Sequence, residues 1–184
     1  MAHILITGAS GFVGSNLTRE LLQSNAEITI FIRKQSNLWR LQDILPRLDV
    51  NVVDMGDIES LKRIVKKIEP DIVYHLATYG GYPFQQDLET IILNNILYSV
   101  NLMHALENSS LERFVNIGSS SEYGVKSKPM LESDITEPVI PYAIAKVAQT
   151  LFSKYFFNQY KLPTVTLRLF SVYGPYEEAG RLIY

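Results

Sequence analysis

The stretch TGASGFVG, residues 7–14, constrains this chain more than any other. Gly8, Gly11 and Gly14 recur at every third position, directly after the apolar run HILIT and directly before an amphipathic segment. Glycine this dense costs backbone entropy, so it is retained where the chain needs positive φ or where something must come close to the backbone. A strand that turns through glycines into a helix is where open α/β sheets hold phosphates. The first helical turn offers unpaired N–H donors and a partial positive charge. In that geometry Gly8 permits the tight turn, Gly11 lets a pyrophosphate lie against the backbone, and Gly14 lets the helix pack close to the sheet. The same residues could form a glycine turn without a ligand, but the strand before and the helix after favour the phosphate.

The rest of the chain repeats this alternation. Short apolar strands are expected at 3–7, 27–32, 50–54, 71–77, 113–119 and 164–170. Helices are expected at 10–25, 58–69, 87–107 and 142–160, with a short one at 37–45. Phe12, Leu17, Leu21 and Leu22 form the apolar face of the first helix, and Ile58, Leu61, Ile64, Val65 and Ile68 that of the next. Strands alternating with helices imply a parallel sheet covered on both faces, because crossovers are right-handed. Six strands match a doubly wound, Rossmann-type α/β fold of strand order 3-2-1-4-5-6. Residues 125–141, with Pro129, Pro138 and Pro141, read as one long irregular loop.

Composition narrows the function classes. The 184 residues are 47% hydrophobic and 20% charged with a net charge of −2, which is globular and carries no basic block for nucleic acid. There is no cysteine, so disulfides and thiolate chemistry are excluded. No cluster of histidines and carboxylates has metal-ligand spacing, and His3, His75 and His104 read as packed residues. The first strand begins almost at Met1 and the apolar runs are too short to cross a bilayer, so a soluble, cytoplasmic chain without a membrane partner is expected.

Two further patterns carry chemistry. Tyr142 and Lys146 in YAIAK are four apart, on one face of the expected helix. A tyrosine is a poor base at neutral pH, but a neighbouring ammonium favours its phenolate. The pair can therefore work as general base and acid, or be an ordinary surface pair. At the end of the second strand, Ile32, Arg33 and Lys34 stand where a ribose-binding carboxylate would be, so two cations are available for a 2′-phosphate. This favours NADP over NAD, although Arg33 and Lys34 could also form a solvated strand end.

In this order and spacing, TGASGFVG, GDI, HLAT, NNILYSVN, GSSSEYG, YAIAK and LRLFSVYGP make the chain resemble the extended short-chain dehydrogenase/reductase superfamily over its whole length. The similar branch is that of NAD(P)-dependent nucleotide-sugar epimerases, dehydratases and reductases. The resemblance implies a cofactor site at Gly8, Ser10, Gly11, Phe12, Val13, Gly14, Arg33, Lys34, Asp57, Ile58, Ala77 and Thr78. Asp57 and Ile58 would border the adenine, and Asp57 could equally cap the helix after it. It implies Ser119, Tyr142 and Lys146 as catalytic residues, with Ser120 and Ser121 in reserve. Tyr142 and Lys146 would also touch the cofactor, Lys146 holding the nicotinamide ribose. The implied partners are a nucleotide-sugar and a second copy of the chain, joined through the two long helices.

The sequence also departs from that family. Dehydratases carry an acid two residues before the tyrosine of the fifth-strand motif, where this chain has Ser121, with Glu122 one position late. That favours an epimerase or a ketosugar reductase. The resembling enzymes continue for a further substrate domain. The expectation is a dinucleotide-binding domain at 1–175, followed at 176–184 by the start of a substrate region in Arg181, Leu182 and Ile183. The alternative is a dinucleotide-binding module without turnover.

Overall fold

The computed structural model describes residues 1–178. Six strands, β1 (His3–Thr7), β2 (Glu27–Ile32), β3 (Asp49–Val52), β4 (Ile72–His75), β5 (Arg113–Ser119) and β6 (Thr164–Leu169), form one sheet in the order 3-2-1-4-5-6. Every pairing is parallel, and Thr7 pairs with His75, His75 with Asn116 and Ser119 with Leu169. This is the expected doubly wound fold. The order reverses between β1 and β4, and ligands of such sheets bind in the crevice outside the carboxyl ends at that reversal.

Among the described residues five α-helices accompany the sheet: α1 (Phe12–Leu21), α2 (Ile58–Ile68), α3 (Leu88–Ile92), α4 (Tyr98–Leu106) and α5 (Pro141–Tyr160). Because side chains alternate along a strand, β1 and β2 feed two cores. Leu5 and Phe31 pack on one face with Leu61 and Val65 of α2, Leu102 and Met103 of α4 and Phe156 of α5. Ile4, Ile6, Ile28 and Ile30 pack on the other with Leu22 and Leu41.

The expected helix at 87–107 is α3 and α4 joined by a π turn, Leu93–Leu97. Such a widened turn, frequent at functional sites, re-aims the residues after it. The expected short helix at 37–45 is instead two 3₁₀ turns, Trp39–Leu41 and Leu45–Arg47, the second with Pro46 in its first turn. Helix α1 also differs from its sequence pattern. Its fully buried face is Gly14, Ser15 and Thr18, while Leu17 and Leu21 pack at the flanks. A Cβ on Gly14 would stand 2.2 Å from the Gly8 carbonyl oxygen, so only small side chains fit between helix and turn. The buried hydroxyls donate to their own helix, Ser15 to the Phe12 carbonyl (2.9 Å) and Thr18 to the Gly14 carbonyl (2.7 Å).

No helix among the described residues is long and apolar enough to cross a membrane. Arg181, Leu182 and Ile183, read as the start of a substrate region, lie outside the described residues.

Candidate active site

The carboxyl ends of the strands open into one cleft of about 1030 Å³. Its floor is the glycine turn. Gly8 has φ of +73°, and an added Cβ would lie 2.5 Å from the Ala77 nitrogen, so turn and β4 terminus touch. Gly11 differs: an added Cβ would meet only the Gly8 carbonyl oxygen, at 3.3 Å, and Gly11 itself lines the cleft. Gly11 is also the N-cap of α1 and provides no side-chain cap, and the first turn of that helix carries no acid. The helix end is thereby left electropositive and open toward the cleft, which suits a dinucleotide's pyrophosphate.

Ser10, Phe12, Val13, Arg33, Lys34, Ala77, Thr78, Ser119, Tyr142 and Lys146 all line this cleft with the three glycines. Asp57 and Ile58 do not; Asp54 and Met55 line it instead. The Asp57 carboxylate accepts from the Ser60 N–H (3.0 Å) as the N-cap of α2. Arg33 and Lys34 sit exposed at the end of β2.

The helical spacing of Tyr142 and Lys146 holds in α5, which Pro141 opens at its first turn. The Lys146 ammonium lies 5.9 Å from the Tyr142 ring centroid. Lys146 is only 1% exposed and donates to the Ile117 carbonyl (2.8 Å) and to Gln149 Oε1 (3.0 Å). Burial lowers its pKa to about 8, partly opposed by the charge of Glu122. Ser119 ends β5 and lines the same cleft. Its hydroxyl donates to Ser121 Oγ (3.1 Å) and accepts the Ser121 N–H (3.1 Å).

Glu122 closes that turn from behind. It is fully buried, away from the cleft, and accepts from the Ser119 N–H (2.9 Å), Thr150 Oγ1 (3.0 Å) and Arg168 Nε (2.9 Å). The one-residue offset noted in the sequence therefore points this carboxylate into the scaffold.

Sequence reasoning assigned no role to several polar residues that build the site from beneath. Asn95, inside the π turn, accepts from Thr78 Oγ1 (3.0 Å) and the Tyr79 N–H (2.9 Å) and donates to the Tyr79 carbonyl (2.6 Å), fixing the loop after β4. Ser99 and Gln149 are fully buried between α4 and α5. The available signal was polar residues at inward positions of apolar helices. His75, read as packed, is fully buried between Thr7 Oγ1 (2.7 Å) and Ser99 Oγ (2.8 Å), and burial lowers its pKa to about 3. Among the described residues no cluster of histidine, aspartate or glutamate could hold a metal ion.

The comparisons with known proteins agree with this architecture. A model of the NAD dependent epimerase/dehydratase family matches residues 4–183. Protein CapI of Staphylococcus aureus is 30% identical over 183 residues, which cover 94% of this chain and 55% of that protein. The crystal structure of UDP-glucuronic acid 4-epimerase from Bacillus cereus in complex with NAD superposes with a TM-score of 0.83 at 29% identity. The match covers 95% of this chain and 58% of that one. Epimerase Mth375 from Methanothermobacter thermautotrophicus gives a TM-score of 0.85 at 34% identity, over 95% of this chain and 53% of that one. The chain thus spans little more than half the length of these relatives.

Proposed function

The chain belongs to the NAD dependent epimerase/dehydratase family, and from that premise we propose that it is the dinucleotide-binding part of a nucleotide-sugar epimerase or ketosugar reductase. One observation carries this reading: the glycine turn and the Ser119, Tyr142 and Lys146 side chains line a single cleft at the sheet's reversal point. The glycine turn and the uncapped start of α1 would hold the pyrophosphate, and Asp54 and Met55, which line the same cleft, would border the adenine. When bound, the nicotinamide supplies the hydride acceptor or donor. Tyr142 Oη takes the proton of a sugar hydroxyl as that carbon is oxidised, and returns a proton to the oxygen in the reverse direction. The Lys146 ammonium favours the phenolate and holds the ribose. Ser119 orients the reacting oxygen.

Arg33 and Lys34 support NADP as the preferred cofactor, with NAD also accommodated. The burial of Glu122 supports an epimerase or reductase over a 4,6-dehydratase, since no acid is offered at the Ser121 position. Residues 1–175 form the dinucleotide-binding domain, and 176–184 lead into the substrate region. A cytoplasmic setting fits the composition. Leu88, Ile92, Ile144, Leu151 and Phe157 are exposed on α3 and α5, which supports a homodimer through these helices; light scattering tests it, and a monomeric mass refutes it.

The deciding experiment is Tyr142→Phe, with dinucleotide binding measured by calorimetry and hydride transfer followed in single turnovers with nucleotide-sugars. Retained binding with lost transfer is expected; undiminished transfer overturns the assignment. The second reading is a dinucleotide-binding module without turnover. It is the outcome if the unaltered chain binds dinucleotide but transfers no hydride.

A further inference from the structure

Behind the cleft a chain of buried polar groups runs from the glycine turn to the catalytic lysine, and its hydrogen-bond directions follow from the chemistry of each group. Ser99 Oγ has three neighbours: the Asn95 carbonyl (3.0 Å), Gln149 Nε2 (3.0 Å) and His75 Nε2 (2.8 Å). A carbonyl only accepts and an amide nitrogen only donates, so the single hydroxyl proton goes to Asn95 and Ser99 accepts from Gln149. His75 must then donate from Nε2, which leaves Nδ1 to accept from the Thr7 hydroxyl (2.7 Å). With its nitrogen held by Ser99, Gln149 presents Oε1 to the Lys146 ammonium (3.0 Å). The reversed amide would set donor against donor. Thr7, His75, Ser99, Gln149 and Lys146 are each 1% exposed or less, so solvent does not substitute for any link.

We propose that Gln149 is a positioning residue for Lys146: its side-chain oxygen holds one N–H of the ammonium, favours the charged form and, with the Ile117 carbonyl, leaves the third donor for the cleft. The assignment rests on the reading of Tyr142 and Lys146 as the acid–base pair. An ammonium has three donors. The Ile117 carbonyl and Gln149 engage two, both from the protein side. The titratable groups acting on the lysine are Glu122 from the turn after β5, His75 from β4, and Tyr142 one turn earlier on α5. His75 is neutral above about pH 3 and Glu122 is engaged by Arg168, so a change at Gln149 should be read directly at the lysine.

The test follows the Lys146 titration by NMR of ¹³Cε-labelled lysine in the full chain without cofactor, the signal being assigned by its loss in Lys146→Met. Gln149→Leu removes the acceptor and is expected to lower the midpoint by about one pH unit; Gln149→Glu adds an opposite charge and is expected to raise it by a similar amount. Ser99→Ala, which frees the Gln149 amide to turn without touching the lysine, is expected to lower it less. If Gln149→Leu does not fold, the glutamate and Ser99 variants still decide the matter. The acid limb of single-turnover hydride transfer should move with the midpoint. An unmoved midpoint in folded variants overturns the assignment. Because the titration is read without cofactor, failure to bind dinucleotide would sink the proposed function while the lysine result stands by itself.

Discussion

Replacing Gly14 by alanine sets two effects of opposite sign against each other. Gly14 lies within the first turns of α1, and helix propensity alone favours alanine there by about 1 kcal/mol. The tertiary structure opposes it. The new Cβ would stand 2.2 Å from the Gly8 carbonyl oxygen, 2.8 Å from the Ala9 Cα and 2.9 Å from the Gly8 carbonyl carbon. All three are backbone atoms of the turn, so none can rotate aside, and relief requires the helix to lift by roughly 1 Å. Overpacking of this kind costs about 1–3 kcal/mol, and the absence of a flexible neighbour puts this site at or above the upper end. The net expectation is a loss of about 2 kcal/mol, seen as a lower urea midpoint at unchanged slope and a melting temperature lower by roughly 4–8 °C. Gly11→Ala is the internal control. Its Cβ meets only one atom, at 3.3 Å, in a backbone conformation open to alanine (φ −76°), so its stability loss should be smaller than that of Gly14→Ala. The methyl would instead occupy the cradle, and dinucleotide affinity should fall by at least tenfold in calorimetry. A Gly14→Ala protein more stable than the unaltered chain, or a Gly11→Ala protein binding NADPH normally, would refute the account of the turn.

Other outcomes follow from the same structure. NADPH should bind more tightly than NADH, and Arg33→Ala with Lys34→Ala should remove the difference and most of its salt dependence; equal affinities in the unaltered chain count against the 2′-phosphate reading. Glu122→Ala should destabilise by about 3–5 kcal/mol in urea, since it leaves the partly buried Arg168 guanidinium without its carboxylate, and a change within error would mean the pair contributes nothing. Burial lowers the Lys146 pKa from its ordinary 10.5 to about 8, so between these values the unfolded chain is expected to hold more protons and stability attributable to this group to rise with pH. The stability of the unaltered chain minus that of Lys146→Met should therefore increase from pH 8 to pH 10.5, and a flat difference would place the ammonium in water.

Much of this molecule was legible in one dimension because the controlling interactions are local or periodic. Strands β1 to β6 and helix α2 follow from runs and repeats of apolar residues, and Gly8 takes the positive φ of the tight turn that its spacing indicated. The Tyr142 and Lys146 pairing needs only 3.6 residues per turn. Other features depend on which groups meet across tens of residues, and no pattern records that. Leu17 and Leu21 make the better apolar stripe on α1, yet the contact of Gly14 with Gly8 selects the small face. Glu122 could face the cleft by its position beside the serines, but Arg168 and Thr150, on β6 and α5, draw it inside. Asp57 caps α2, one of the two roles its position before that helix offered, but that Asp54 lines the cleft was not legible. The sequence by itself determined the sheet, the glycine turn and the placement of Tyr142 and Lys146 one turn apart on a single helix. Only the tertiary structure decided what stands behind that pair, because a buried amide, hydroxyl and imidazole acquire direction only when their partners are in place.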